Sequence, residues 1–448
     1  MNLFHKFPGG VHPKEGSGGK AVTAGLPIVE PHQPTRVVIP LHQNIGTPSE
    51  CLVQKGDTVR VGQRIGEAVG LMGAAVHASV SGTVAACEPC IVADGTQQFC
   101  VIIDNDFQDT WVDLTPVAYP ESLTAKELAD IARNAGIVGM GGATFPYGMK
   151  LTMPPNVKID TLILNGAECE PYLSADHRLM LEESEGIVKG ARLIQKALEI
   201  QRVIIAIEDN KPDAIDVMAK ACEGDPTFQV SSLPVRYPQG GEKQLVYALT
   251  KRVVKMGSLP LNVGVLVSNV ASCLALCQAV HEGRPVIDRV VTVGGTVKEP
   301  ANFRVRIGTM VEALLDNAQG LLPQTRLLIL GGPMMGMSIS RRDIPITKGC
   351  SGLLGLEIGV ALEEEQPCIR CARCVDACPV KLAPALIDRY TRNDTLTEAE
   401  ELYAMNCMEC GICSWSCPSR RHLTQSIKMC KKLIRQKYDQ AAQQKGAK

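Results

Sequence analysis

Eight of the 18 cysteines in this 448-residue chain fall into two matching runs. Cys368, Cys371, Cys374 and Cys378 precede Pro379, and Cys407, Cys410, Cys413 and Cys417 precede Pro418, so the pattern C-x2-C-x2-C-x3-C-P occurs twice. Three thiolates at successive three-residue steps wrap one face of an iron-sulfur cubane and leave one iron for a more distant thiolate. Such a cluster moves one electron at a time and does no bond chemistry itself, so two side by side conduct electrons.

In two-cluster ferredoxins the fourth cysteine of each run ligates the other cluster. The expected assignment is therefore Cys368, Cys371, Cys374 and Cys417 on one [4Fe-4S], and Cys407, Cys410, Cys413 and Cys378 on the second. Zinc ligation is the plainer alternative for C-x2-C pairs. Residues 380–406 between the runs have helical periodicity and no strand signal, which predicts a helical cluster module. Cys87 and Cys90 form a further C-x2-C with Cys51 and Cys100 near in sequence, and the remaining thiols read as small buried hydrophobes.

The rest of the chain must position this conductor. Its length predicts two to four domains, and 45% hydrophobic with 21% charged residues is ordinary globular composition. With 46 basic and 47 acidic residues, no general attraction for nucleic acid is expected. The N-terminal "MNLFHKFPGGVHP" is no signal peptide, because Pro8, Gly9 and Gly10 interrupt it, and a cytoplasmic chain is expected. The uncharged window 257–280 reads as a buried strand followed by a helix rather than a membrane span. Lys428, Lys431, Lys432, Arg435 and Lys437 cluster on a predicted C-terminal helix, as a solvated face or a docking face for an acidic partner.

Between 124 and 282, helical runs alternate with the apolar runs "TLILNGA", "RVIIAIED" and "VGVLVSN", which predicts a largely parallel sheet with ligands bound where strands give way to loops. The loop "GIVGMGGATFPYGMK" brings Gly139, Gly141, Gly142 and Phe145 together, ending at Lys150. Glycines let backbone N–H groups approach a phosphate, and a lysine adds a point charge. The loop is neither a Walker A sequence nor G-x-G-x-x-G, and a plain flexible loop is the alternative. Asn165 then ends an apolar strand and is followed by Glu168 and Glu170, a set suited to ribityl or ribose hydroxyls and a flavin or nicotinamide edge, or else a solvated acidic turn.

These segments, with "YPQGGEKQL" and "SNVASCLALCQAV", resemble the flavin-bearing, NADH-oxidising subunit of complex I. Together with "FPGGVHP", "VIPLHQNIGTP" and "HASVSGTV" they resemble more closely, and nearly end to end, the C subunit of the Rnf electron transport complex. That resemblance implies FMN and NAD(H) contacts from Gly139, Gly141, Gly142, Phe145, Lys150, Asn165, Glu168, Glu170 and Asn269, with Tyr237, Gly240 and Glu242 on a loop that closes over the dinucleotide. Ala167, Tyr172 and Gly241 depart from the complex I pattern. No catalytic acid or base is assigned, because hydride transfer to a flavin needs none.

The expected fold class is multi-domain α/β and α+β. The domains are a barrel-sandwich, biotinyl/lipoyl-like domain at 1–105, an α/β FMN/NADH domain at 120–283, a β-grasp spacer at 284–346 and a helical two-[4Fe-4S] domain at 355–440. The barrel lacks a lysine at its hairpin tip, so no swinging cofactor is expected. The function implied is that of a peripheral subunit, on the cytoplasmic face of the membrane, of a ferredoxin:NAD oxidoreductase. It would pass electrons between two clusters and NAD through FMN, beside ion-translocating membrane subunits and a ferredoxin-like iron-sulfur subunit, with ferredoxin the indirect donor. A soluble cobalamin-reductase-like enzyme and a non-catalytic electron relay are the alternatives.

Overall fold

The computed structural model describes residues 6–13, 19–357 and 364–446. The chain divides into two compact units, one of 14–233 with 260–357, the other of 1–13, 234–259 and 358–448.

The larger unit holds three sheet-based bodies. The first is a parallel four-stranded sheet of β1 (Thr161–Gly166), β2 (Arg202–Glu208), β3 (Phe228–Leu233) and β4 (Val265–Asn269), in the order β3-β2-β1-β4. Leu162, Ile163, Leu164 and the Val203–Ile207 stretch are buried, as expected of parallel strands covered on both faces. Two helices matter for the site: α1 (Ala175–Glu182) follows β1, and α2 (Val270–His281) follows β4 without a break. Helix α2 is apolar nearly all round and buried along most of its length. The 257–280 window thus resolves into a strand and a helix, and among the described residues no helix is long and apolar enough to cross a membrane.

The second body is a sandwich of strands Arg36–Pro40, Gln97–Asn105, Gly82–Ile91 and Thr58–Val59 facing Glu50–Cys51, Arg64–Glu67 and Val76–His77. Val37, Ile39, Ile65, Val84 and Ile103 fill its interior. Gly82, at φ +148°, sits where a Cβ would lie 1.9 Å from the Asp104 carbonyl, so only glycine permits this strand approach.

The third body is a mixed six-stranded sheet against the short helix Val311–Asn317. Its strand Gly352–Leu356 lies between Asp288–Gly295 and Leu327–Leu330, and its edge strands are Ile28–Val29 and Met337–Ile339. The sheet therefore extends beyond the expected 284–346 segment at both ends. Gly352–Leu356 pairs parallel with the segment 292–295, a long-range register that local pattern does not announce.

In the smaller unit, helices Pro384–Arg392 and Leu396–Glu401 connect the two cysteine runs, and α3 (Leu423–Gly446) packs beside them. Ile387, Ala399, Ile427, Cys430 and Ile434 form its core. Two segments from elsewhere in the sequence join it. Phe7 is buried, stacked by Arg236 at 5.3 Å, and Val11 exchanges backbone hydrogen bonds with Tyr237. The N-terminal "FPGG" thus belongs with the clusters rather than with the sandwich, and 234–259 leaves the α/β body after β3 and returns before β4.

Candidate functional site

In the order β3-β2-β1-β4 the chain winds outward from β1 to β3 and then crosses back to β4, so the topological switch point lies between β1 and β4. Ligands of open α/β sheets bind outside the carboxyl ends of strands at such a point. Asn165 and Asn269 are register partners there, each at or near the end of its strand.

The glycine loop is tied to the same place. Gly139 N–H donates to the Phe145 carbonyl (2.8 Å) and Thr144 N–H to the Gly139 carbonyl (3.1 Å), closing the loop on itself. Ser272, near the start of α2, accepts from Met140 N–H (2.9 Å) and donates to the Val138 carbonyl (3.0 Å). A Cβ on Gly141 would stand 3.5 Å from the Asn269 side chain, while Gly142, at φ +104°, faces open space. Gly141, Gly142 and Ala143 are exposed, and Phe145 and Lys150 are half-buried. An open glycine cradle beside two strand-end asparagines fits a phosphate-bearing cofactor.

The asparagine amide is held from both sides. Asn269 Oδ1 caps α2 by accepting from Ala271 N–H (2.9 Å), and its Nδ2 donates to Asp176 Oδ2 (2.7 Å). Asp176 is half-buried in the first turn of α1, and its own N–H donates to Glu168 Oε1 (2.7 Å), with His177 N–H reaching Glu168 Oε2 (3.2 Å). Burial, then the Glu168 charge, pushes the Asp176 carboxyl well up, while Arg289 and Lys211 oppose the rise. Lys211, itself buried, donates to the Ala167 carbonyl (2.8 Å) and pairs with buried Glu208 (3.4 Å); Lys20 donates to the Glu168 carbonyl (2.6 Å); Arg289 reaches the Met140 carbonyl (3.4 Å). Sequence reasoning does not single out Asp176, Lys211, Lys20 or Arg289. Asp176 alone leaves a signal, by its place inside "NGAECEPYLSADHR".

Glu170 points elsewhere: its two carboxylate oxygens accept from Met334 and Met335 N–H at 3.0 and 2.9 Å. Burial raises its carboxyl to about 7 even against those bonds. A Cβ on Gly332 would fall 2.2 Å from Glu170 Oε2, so this approach requires glycine. The structure thus gathers Gly139, Gly141, Gly142, Phe145, Lys150, Asn165, Glu168 and Asn269 in the larger unit. Tyr237, Gly240 and Glu242 belong to the smaller one, where Tyr237 is buried and its hydroxyl donates to the Cys410 carbonyl (2.8 Å).

Thiols of the two cysteine runs are neighbours across the runs. Cys374 has Cys417 and Cys368 as its charged thiol neighbours, whereas Cys407, Cys410 and Cys413 each have Cys378. Burial first, and these neighbours next, raise the thiols, to about 11 for Cys410 and about 12 for Cys413. Among the described residues no three Cys, His, Asp or Glu converge on a single ion. A cubane presents four separate irons, so its thiolates stand wider apart than around zinc, and the crossed sets fit [4Fe-4S] clusters. Asp388, buried, bridges Arg392 (2.7 Å) and Arg421 (3.0 Å) and so fastens the connecting helix to the second run. Lys431 is likewise drawn in, bonded to the Cys407 carbonyl (2.7 Å), while Lys428, Lys432, Arg435 and Lys437 stay exposed. Cys51 and Cys87 face the sandwich interior and Cys90 and Cys100 pack in a separate apolar cluster, so the four thiols do not meet at one point.

Four family models match in succession: the RnfC barrel sandwich hybrid domain over 5–108, the Nuo51 FMN-binding domain over 132–278, the SLBB domain over 290–338 and the 4Fe-4S dicluster domain over 361–418. The chain is 45% identical to the C subunit of the proton-translocating ferredoxin:NAD(+) oxidoreductase complex of Clostridium ljungdahlii, over 90% of this chain and 88% of that one. It belongs to the RnfC family. The Na(+)-translocating counterpart from Acetobacterium woodii is 41% identical over 97% of this chain and 98% of that one. A NAD+-reducing [NiFe]-hydrogenase in its H2-reduced state overlaps 67% of this chain and 54% of its own, at 19% identity and TM-score 0.44. Membership of the RnfC family accounts for the barrel sandwich, FMN-binding, SLBB and dicluster domains in one chain, with FMN and two [4Fe-4S] clusters as its cofactors.

Proposed function

We propose that this chain is the NAD(H)-reacting subunit of a membrane-bound, ion-translocating ferredoxin:NAD oxidoreductase, working at the cytoplasmic face of the membrane. The observation that carries the reading is the exposed glycine cradle at the β1/β4 switch point, in one chain with two C-x2-C-x2-C-x3-C-P runs. FMN supplies the conversion between the two-electron hydride of NADH and the single electrons that iron-sulfur clusters accept.

The backbone of Gly139, Gly141 and Gly142 and the charge of Lys150 bind phosphate, and Asn165, Glu168 and Asn269 orient the polar rim of the ring. Phe145 packs on the dinucleotide. Glu170 acts on the seat through the 331–336 loop it anchors. Ion movement falls to partner subunits, and a ferredoxin-like iron-sulfur subunit delivers electrons from ferredoxin. The RnfC barrel match over 5–108 favours this assignment over a soluble cobalamin reductase.

The test is NADH oxidation by the anaerobically purified chain with a viologen acceptor, paired with flavin content in Lys150→Ala and Asn269→Ala variants. Activity in the parent, and reduced flavin in both variants, is the expected result. Full flavin and full activity in both would overturn the assignment of the seat.

A further inference from the structure

The two cysteine runs are sequence repeats with different surroundings. At the second run, Met408 lies against Gly241, where a Cβ would be 3.0 Å from its terminal methyl, and Tyr237 donates to the Cys410 carbonyl (2.8 Å). Glu409 is paired with Lys431, and Ile412 is buried. Cys378, which belongs to the same crossed set, lies under the N-terminal segment: Gly10 N–H donates to the Ala377 carbonyl (2.8 Å), and a Cβ on Gly9 would fall 2.5 Å from the Cys378 carbonyl. Residues 9–10 and 237–241 thus wall off the set of Cys407, Cys410, Cys413 and Cys378.

The equivalent positions of the first run lie open. Ile369, the counterpart of Met408, is 67% exposed. Arg370 stands where the second run has Glu409, and Arg373 where it has Ile412; both are exposed, as are Cys368 and Cys371. Of the nearby acids, Glu365 is held by Arg392 (2.8 Å), while Lys381 Nζ donates to the Asp376 backbone carbonyl (3.3 Å) and adds a further positive charge beside it.

We propose that Ile369, Arg370 and Arg373 form the docking face for an external electron-transfer protein, an iron-sulfur protein with a carboxylate-rich rim around its own cluster. The inference rests on the reading that the ladders carry clusters in an electron path. Electron transfer weakens steeply with distance, so a separate protein exchanges electrons through the cluster it can approach. Guanidinium groups pair bidentately with carboxylates, and an apolar residue between two of them gives a small contact that desolvates on docking. Such encounters bury little area and depend on charge for their rate.

The test uses the full chain with both clusters present and a bacterial two-[4Fe-4S] ferredoxin, an acidic carrier, reduced chemically as the probe. Cluster bleaching is followed by stopped flow at several salt concentrations, with iron content and the low-temperature EPR signature of each variant checked. The wild-type rate should fall as salt rises. Arg370→Glu combined with Arg373→Glu should slow bleaching at least tenfold at low salt and abolish the salt dependence, whereas Lys432→Glu on α3 should leave both unchanged. If the double variant loses iron, Arg373→Gln with the wild-type salt profile carries the test. A fully loaded double variant as fast as wild type, or a wild-type rate indifferent to salt, would overturn the docking face. NADH that bleaches neither flavin nor clusters would instead overturn the proposed function, with the ferredoxin rates still deciding the face.

Discussion

Asn269 donates its amide to Asp176 at 2.7 Å while its amide oxygen caps α2, so one side chain joins two helices at the mouth of the candidate flavin seat. The arrangement fixes which way the amide faces, since Asp176 is placed to accept and the Ala271 N–H can only donate.

Asp176→Ala should therefore leave a half-buried amide without its acceptor, at a cost of about 1 kcal/mol, and loosen flavin retention. Asp176→Asn keeps an acceptor and should lose less of both. Denaturant midpoints and flavin-to-protein ratios separate the two, and equal losses in both variants would rule out the acceptor role.

Glu170 and Gly332 make a second pair. Gly332→Ala places a methyl 2.2 Å from Glu170 Oε2, so the carboxylate must leave the Met334 and Met335 amides. The expected loss is about 1 kcal/mol per hydrogen bond broken, and Glu170→Ala should lose a similar amount. Combining them should add little beyond either, because both break one contact. Fully additive losses in the double variant would contradict the shared contact.

Lys348 gives a pH dependence with a definite sign. It is buried, donates to the Ala75 (2.8 Å) and Gly136 (2.7 Å) carbonyls, and burial lowers its ammonium from 10.5 to about 7. His77 beside it is pushed down too, by burial and then by Lys348 and Arg64. Between those two values for Lys348 the unfolded chain holds a proton that the folded chain has released, so stability rises with pH across that window and levels off below it. The slope is about 1.4 kcal/mol per pH unit at most. Lys348→Met should flatten it, as read from urea midpoints across the range; an unchanged slope would place the titration elsewhere.

The crossed cysteine sets predict which cluster each thiol serves. Cys378→Ser should damage the cluster held by Cys407, Cys410 and Cys413, and Cys417→Ser the cluster held by Cys368, Cys371 and Cys374. Iron analysis should fall from about eight toward about four in each, with different EPR signals surviving. Loss of the same signal in both variants would contradict the crossing.

What was legible in the sequence was what is local. The cysteine spacing, the strand runs ending at Asn165 and Asn269, and the glycines of the cradle each announce themselves within a few residues. The packing of Gly9 and Gly10 under Cys378, the return of 234–259 to the cluster unit, and the insertion of Gly352–Leu356 into the β-grasp sheet join residues far apart in sequence, and no periodicity encodes them. Asp176 was hidden for a related reason: an acid in the first turn of a helix is ordinary, and only its hydrogen bonds to Glu168 and Asn269 mark it.

The most direct test of the central claim is an anaerobic titration of the isolated full chain with NADH, after its flavin and iron have been counted. The account predicts bound FMN, about eight irons, and loss of flavin and cluster absorbance together as NADH is added. A chain that carries both clusters yet binds no FMN and does not respond to NADH would contradict it.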